Sequence, residues 1–146
     1  MLTLKKADIS DCSKMMEIEK CSFSDPWSQG MFEGAILNDR YMFLCLYDGD
    51  KMLGYVGILC VEPECDVVNV AVLPELRRLG YGSLLLRSVI DEGKKRGVDT
   101  FHLEVRASNI SAIKLYESFG FENDGIRRAY YQNPREDALL MTLKTE

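Results

Sequence analysis

The chain has 146 residues, enough for one domain whose core needs neither disulfide nor metal. Apolar residues make up 47% and charged residues 28%, a soluble balance, and the formal net charge of −5 argues against direct nucleic-acid binding while favouring a basic partner. Five cysteines with no C-x-x-C pair and a single histidine leave a metal site little to draw on, and without an apolar leader or a membrane-length apolar run the expected compartment is the cytoplasm.

Thr3-Leu4-Lys5 reads as a short first strand. From about Asp8 to Cys21 the pattern is helical, with Cys12, Met15, Met16 and Glu19 at i, i+3, i+4 and i+7. A second helix is expected to start near Ser28, carry Met31, Phe32, Ala35 and Ile36, and stop near Asn38. Tyr41–Tyr47 and Met52–Val61 form a hairpin across Asp48-Gly49-Asp50, and Cys45 and Cys60 inside these apolar runs read as small core residues. Pro63-Glu64-Cys65 is expected to turn the chain into a β-branched strand over Asp66–Leu73.

That strand breaks at Pro74 and leads through Arg77, Arg78, Leu79, Gly80, Tyr81, Gly82 and Ser83 into a helix with Leu85, Leu86, Val89 and Ile90 on one face. Free amides and the positive end of a helix dipole favour phosphate at such a turn, the arginines add charge, and glycines let an anion approach the main chain. The spacing is neither a Walker loop nor a full dinucleotide fingerprint, and a ligand-free basic connection has the same pattern.

Phe101–Arg106 alternates, with Phe101, Leu103 and Val105 on one face and His102, Glu104 and Arg106 on the other. Ala107-Ser108-Asn109 precedes a helix bearing Ala112, Leu115, Tyr116 and Phe119, which Gly120 ends. Gly125–Tyr131 and Ala138–Leu143 close the chain as a hairpin around Asn133-Pro134-Arg135. The order β-α-α-β-β-β-α-β-α-β-β predicts an α/β domain, a mixed central sheet flanked by helices.

Val70-Ala71-Val72, Arg77-x-x-Gly80-x-Gly82, Leu103-Glu104-Val105-Arg106-Ala107-Ser108-Asn109 and Leu115-Tyr116-Glu117-Ser118-Phe119-Gly120-Phe121 together resemble the GNAT acetyltransferase superfamily. Asp25-Pro26-Trp27-Ser28, Ile126-Arg127-Arg128-Ala129-Tyr130-Tyr131 and Arg135-Glu136-Asp137-Ala138 narrow the likeness to the bacterial branch that acetylates the N-terminal alanine of a ribosomal protein, across nearly the whole chain. The resemblance implies a GNAT fold over residues 1–146, acetyl-CoA as co-substrate and an N-terminal peptide of a small-subunit ribosomal protein as acceptor.

By the same resemblance, Glu104 is the general base and Tyr116 the general acid. The Val70-Ala71-Val72 backbone pairs with the pantetheine, Arg77 through Ser83 hold the pyrophosphate, and Asn109 contacts the pantetheine or phosphate. Trp27, Tyr130 and Tyr131 wall the acceptor cleft. Each has a plainer alternative: Glu104 in a charge pair with Arg106, Tyr116 in the core, Asn109 as a helix cap, Trp27 as a staple before its helix. Of two adjacent strand tyrosines, one is expected to face away from the other. Cys21–Asp25 departs from the family form, where a shorter, histidine-containing stretch can occur, which bears on acceptor choice rather than on acetyl transfer. An acetyltransferase for small-molecule amines or lysine side chains, and a non-catalytic acetyl-CoA-binding module, remain open on the same fold.

Overall fold

The long apolar runs in the first half of the sequence become the centre of a sheet. In the computed structural model, which describes residues 1–145, the strands are β1 (Leu2–Lys6), β2 (Tyr41–Asp48), β3 (Lys51–Val61), β4 (Glu64–Val72), β5 (Thr100–Arg106), β6 (Glu122–Tyr131) and β7 (Glu136–Lys144). They form one seven-stranded sheet in the order β1-β2-β3-β4-β5-β7-β6. β4 and β5 run parallel, and every other pair is antiparallel.

β2 and β3 are buried almost end to end because helices cover both faces of the sheet. Helices α1 (Cys12–Ser22) and α2 (Gln29–Ile36) cover one face, where Met15, Ile18 and Phe32 pack on Phe43, Cys45 and Tyr55. Helices α3 (Tyr81–Lys95) and α4 (Ile110–Ser118) cover the other, where Leu85, Leu86, Val89 and Tyr116 meet Leu44, Val56, Ile58 and Phe101. Fully burying one such side chain is worth about 1.5–3 kcal/mol, so this two-sided core is the main source of stability.

Local signals explain where the helices begin. Asp8 and Asp11 form a capping box around a short 3₁₀ turn that precedes α1, so the first turn of the expected Asp8–Cys21 helix is tighter than α-helical. Ser28 Oγ accepts from Met31 N at 3.2 Å, and Trp27, one residue earlier, packs on Phe32 with ring centroids 5.2 Å apart. That is a hydrophobic staple, the plainer role weighed for Trp27. Asn109 caps α4, its Oδ1 accepting from Ala112 N at 3.2 Å. Lys94 and Lys95 complement the C-terminal dipole of α3.

One boundary moves. Glu64 and Cys65, expected in a turn, already belong to β4 and pair with Val61 and Cys60, because a tight connection at Glu62-Pro63 reverses the chain earlier. Cys45 and Cys60 are core residues, and all five cysteines are free thiols.

Candidate active site

The sheet contains a deliberate gap. β4 and β5 pair only at Glu64↔Thr100, Cys65↔Phe101 and Asp66↔His102. β3 meanwhile stays paired with β4 as far as Val72, after a bulge that leaves Val68 without a partner between the Ile58↔Val67 and Gly57↔Asn69 pairs. Beyond Asp66 the two parallel strands part, and a cleft of about 710 Å³ opens between them. Alternate backbone groups of β4 face this gap with no strand beside them.

Val70 lines the cleft on the β4 side. The Ala71 and Val72 side chains are buried in the core, so only their backbone is left to face a ligand. The turn that follows begins with a 3₁₀ segment, Pro74–Leu76, and passes through two left-handed residues, Arg78 (φ 66°) and Gly80 (φ 88°). The first backbone bond of α3 runs from Leu84 N to Gly80 O at 3.1 Å, so the amides of Tyr81, Gly82 and Ser83 precede the helical ladder. Leu79 is exposed, whereas Tyr81 packs against the core. The Arg77 side chain is engaged within the protein, with Nε donating to Val72 O and Nη2 to Ser22 Oγ, each at 3.3 Å. The 77–83 turn lies outside the cleft lining, whereas Asn109 is within it.

On the β5 side the alternation holds: Phe101, Leu103 and Val105 are buried, and Glu104 faces the cleft. The Glu104–Arg106 charge pair does not form. Glu104 Oε2 lies 3.5 Å from Arg127 Nε, and its charge helps raise the phenol pKa of Tyr130 and Tyr131 after burial has raised them first. Arg106 is instead a fastener: Nη1 donates to Pro134 O at 2.9 Å and Glu136 Oε1 at 3.2 Å, and Nη2 to Gln132 O at 2.9 Å and Ser24 Oγ at 2.8 Å. Its guanidinium also sits 4.5 Å from the centroid of the Tyr131 ring. Asn133 Nδ2 donates to Asp25 Oδ1 at 3.1 Å, so the β6–β7 hairpin and the α1–α2 connection meet across the cleft.

Tyr116 reaches the cleft from α4. It is buried against Phe121, and burial pushes its phenol up to about 12, so it carries its proton at physiological pH. A carboxylate and an un-ionised phenol therefore line one cavity, a pair able to accept one proton and donate another. His102 is a neighbour, held by Glu64 Oε1 at 2.6 Å and Thr142 Oγ1 at 3.1 Å. Cys65 is a poor nucleophile, because burial drives its thiol pKa upward. Among the described residues no group of three or more His, Cys, Asp or Glu side chains is arranged to hold a metal ion, and no helix is long and apolar enough to cross a membrane.

The expectation that Tyr130 and Tyr131 face apart is overturned. Both line the cleft, and their rings touch edge-on with centroids 5.0 Å apart. The cause is a wide bulge: between the Arg127↔Ala138 and Tyr131↔Glu136 pairs, Arg128, Ala129 and Tyr130 stand opposite Asp137 alone. Ala129 takes a φ of 50°, and its amide donates to Asp137 Oδ1 at 2.8 Å, which breaks the alternation. Trp27 also lines the cleft while stapling α2.

Sequence reasoning missed Glu19, assigned only to the buried stripe of α1. It is 2% exposed yet lies at the cleft wall, bonded to Tyr55, Asn69 and Trp27. The available signal was a carboxylate inside an apolar stripe, which burial permits only with hydrogen-bond partners.

The model of the acetyltransferase (GNAT) family matches residues 12–121. The ribosomal protein bS18-alanine N-acetyltransferase of Escherichia coli is 41% identical over 145 residues, covering 98% of this chain and 97% of that protein. Its counterpart of the same name in Haemophilus influenzae is 36% identical over 144 residues, with 97% of each chain covered. The crystal structure of the Escherichia coli ribosomal-protein-alanine N-acetyltransferase superposes with a TM-score of 0.92 at 40% identity, covering 100% of this chain and 95% of that one. A seven-stranded sheet split between its parallel strands, and a family match running from α1 to the end of α4, lead to one conclusion: the chain belongs to the GNAT acetyltransferase family.

Proposed function

We propose that the protein transfers the acetyl group of acetyl-CoA to the α-amine of the N-terminal alanine of a small-subunit ribosomal protein; its relatives are named as ribosomal protein bS18-alanine N-acetyltransferases. The observation that carries the chemistry is the cleft itself, in which Glu104 and Tyr116 share one cavity beside an unpaired strand edge.

The residues fit the donor. The free edge of β4 can hydrogen-bond an extended pantetheine as an added strand, and an amide there can polarise a thioester carbonyl. At the turn, the Tyr81, Gly82 and Ser83 amides and the positive end of α3 suit the pyrophosphate. A Cβ on Gly82 would meet only Leu115, at 3.5 Å, an ordinary contact, so packing does not demand glycine there and close approach of an anion does. Arg78 holds a left-handed conformation that costs about 1–2 kcal/mol, strain of the kind kept at binding turns.

The acceptor enters between the hairpin and the α1–α2 connection, against Trp27, Tyr130 and Tyr131. An α-ammonium with a pKa of roughly 7.7–8.0 must lose a proton before it attacks. Glu104 takes that proton, directly or through water, and Tyr116 gives its proton to the departing sulfur. No protein nucleophile is required.

Mass spectrometry tests this reading. The protein and acetyl-CoA are incubated with a basic peptide beginning in alanine, with the same peptide blocked at its N-terminus, and with free amines. One acetyl group on the free peptide alone is the expected result. Acetylation of an internal lysine or of the small amines instead, or of nothing while acetyl-CoA binds, refutes it.

A further inference from the structure

Glu19 is the buried charge that the proposed chemistry leaves unused. Its carboxylate is 2% exposed, and no lysine or arginine contributes to its electrostatics. An uncompensated buried carboxylate is costly unless hydrogen bonds replace its water. Here three donors do so: the Tyr55 hydroxyl and Asn69 Nδ2, at 3.1 Å, on Oε1, and the Trp27 backbone N–H, at 2.9 Å, on Oε2. Burial pushes the carboxyl pKa upward, and these donors hold it back.

The three donors belong to different parts of the cleft. Asn69 is the residue after the unpartnered Val68 of the β4 bulge, immediately before Val70 on the open edge. Trp27 lies in the α1–α2 connection, one residue before the N-cap Ser28, on the side proposed to receive the acceptor. Tyr55 is fully buried in β3, a fixed post between them. One oxygen thus grips the donor strand at its bulge while the other grips the acceptor wall.

We propose that Glu19 is a positioning residue for acetyl transfer, tying the β4 bulge and the Trp27 connection to one point and so fixing the spacing between donor edge and acceptor wall. This rests on the acetyl-transfer reading above. Reacting groups held in near-attack geometry are sensitive to shifts of about 1 Å, which cost about a hundredfold in rate. A glutamine keeps the size and one acceptor oxygen, but its amide nitrogen must face either the Trp27 N–H or the pair of Tyr55 and Asn69 donors. Facing the Trp27 N–H, the nitrogen ends that bond; facing Tyr55 and Asn69, it forces them to turn and accept, and in either case the loss of charge weakens the bonds that remain.

The test compares Glu19→Gln with the parent in steady-state kinetics, with kcat counted per acetyl-CoA site titrated by calorimetry, and in amide hydrogen exchange without acceptor. Expected are a kcat lower by about ten- to a hundredfold, a KM for acetyl-CoA within about twofold of the parent, and faster exchange in both 23–28 and 66–72. Asn69→Ala should lower kcat in the same direction, and the double variant should fall no further than Glu19→Gln alone. A kcat per site within twofold of the parent, or exchange that changes in neither segment or only one, overturns the proposal. An inactive parent sinks the acetyl-transfer reading instead, and the exchange arm still decides whether Glu19 joins the two segments.

Discussion

Gly54→Ala tests how tightly the fold sets the position of the proposed donor edge. Gly54 lies in β3 opposite Val72, and a Cβ built there stands 2.6 Å from the Ala71 carbonyl oxygen, 3.1 Å from Leu85 Cδ1 and 3.2 Å from Val72 Cγ2. Ordinary contact begins at 3.4 Å, so the Ala71 carbonyl must retreat by about 0.8 Å, the difference between 3.4 and 2.6 Å. The obstacle is backbone, not the end of a flexible side chain, so β4 has to move as a strand. Overpacking of this kind costs about 1–3 kcal/mol. A shift of that size at the edge flanked by Val70 and Val72 should also cost about tenfold or more in kcat/KM for acetyl-CoA. Urea denaturation gives the stability term, and steady-state kinetics on the folded variant give the other. A variant as stable and as active as the parent would refute the claim that β3 packing sets the β4 edge.

Glu104→Gln should lower kcat by about 10²–10⁴-fold while acetyl-CoA binding, read by calorimetry, stays intact; Tyr116→Phe should also lose turnover, through slower departure of the thiolate. With the parent, kcat/KM for the peptide should climb with pH and level off near pH 8 as the acceptor amine deprotonates, and Tyr116, with its pKa near 12, should cause no fall up to pH 10. Arg106→Ala should raise the peptide KM about tenfold, roughly 1.4 kcal/mol, and leave the acetyl-CoA KM alone, because the guanidinium fastens the hairpin to Ser24. Acid should destabilise the fold. Burial alone would raise the Asp11 carboxyl, but hydrogen bonds from Tyr47, the Asp8 amide and Lys5 outweigh it and hold it below its usual value. A depressed folded-state pKa gives stability that is present above the unfolded value near 3.9 and is lost as pH falls through the folded one. Asp11→Asn should therefore flatten the fall in melting temperature below about pH 4; an unchanged slope would count against this assignment.

The elements were legible where one physical signal dominated. Uninterrupted apolar runs marked β2 and β3, strict alternation marked β5, and Asn109 announced its helix as a cap. Glu104 and Tyr116 stand in legible motifs, and the fold brings both to the same cleft, one from β5 and one from α4. What sequence could not deliver depends on register. The β6 bulge swings Tyr130 to the side of Tyr131, and nothing in Arg128-Ala129-Tyr130 marks three residues standing opposite one. Arg106 has the same periodicity as Glu104, yet its partners come from Ser24 and from the hairpin, contacts that only long-range folding decides. Glu19 was hidden for the opposite reason: its position in the stripe was correct, but the stripe predicts burial and says nothing of the donors waiting there.

The junction between β4 and β5 has a consequence for how such a protein diversifies. Besides the His102–Glu64 contact and the hold of Glu19 on Asn69 and Trp27, three ladder pairs join the strand bearing the proposed donor edge to β5 and, beyond it, the hairpin. The 77–83 turn and β4 lie on one bank; the hairpin, with Tyr130 and Tyr131, lies on the other, latched to the α1–α2 connection through Arg106–Ser24 and Asn133–Asp25. Mutations can therefore rework the latch and the hairpin bulge, and with them the identity of the incoming chain end, while leaving the opposite bank's main-chain contacts as they were. The split sheet works as a chassis with a fixed half and an exchangeable one.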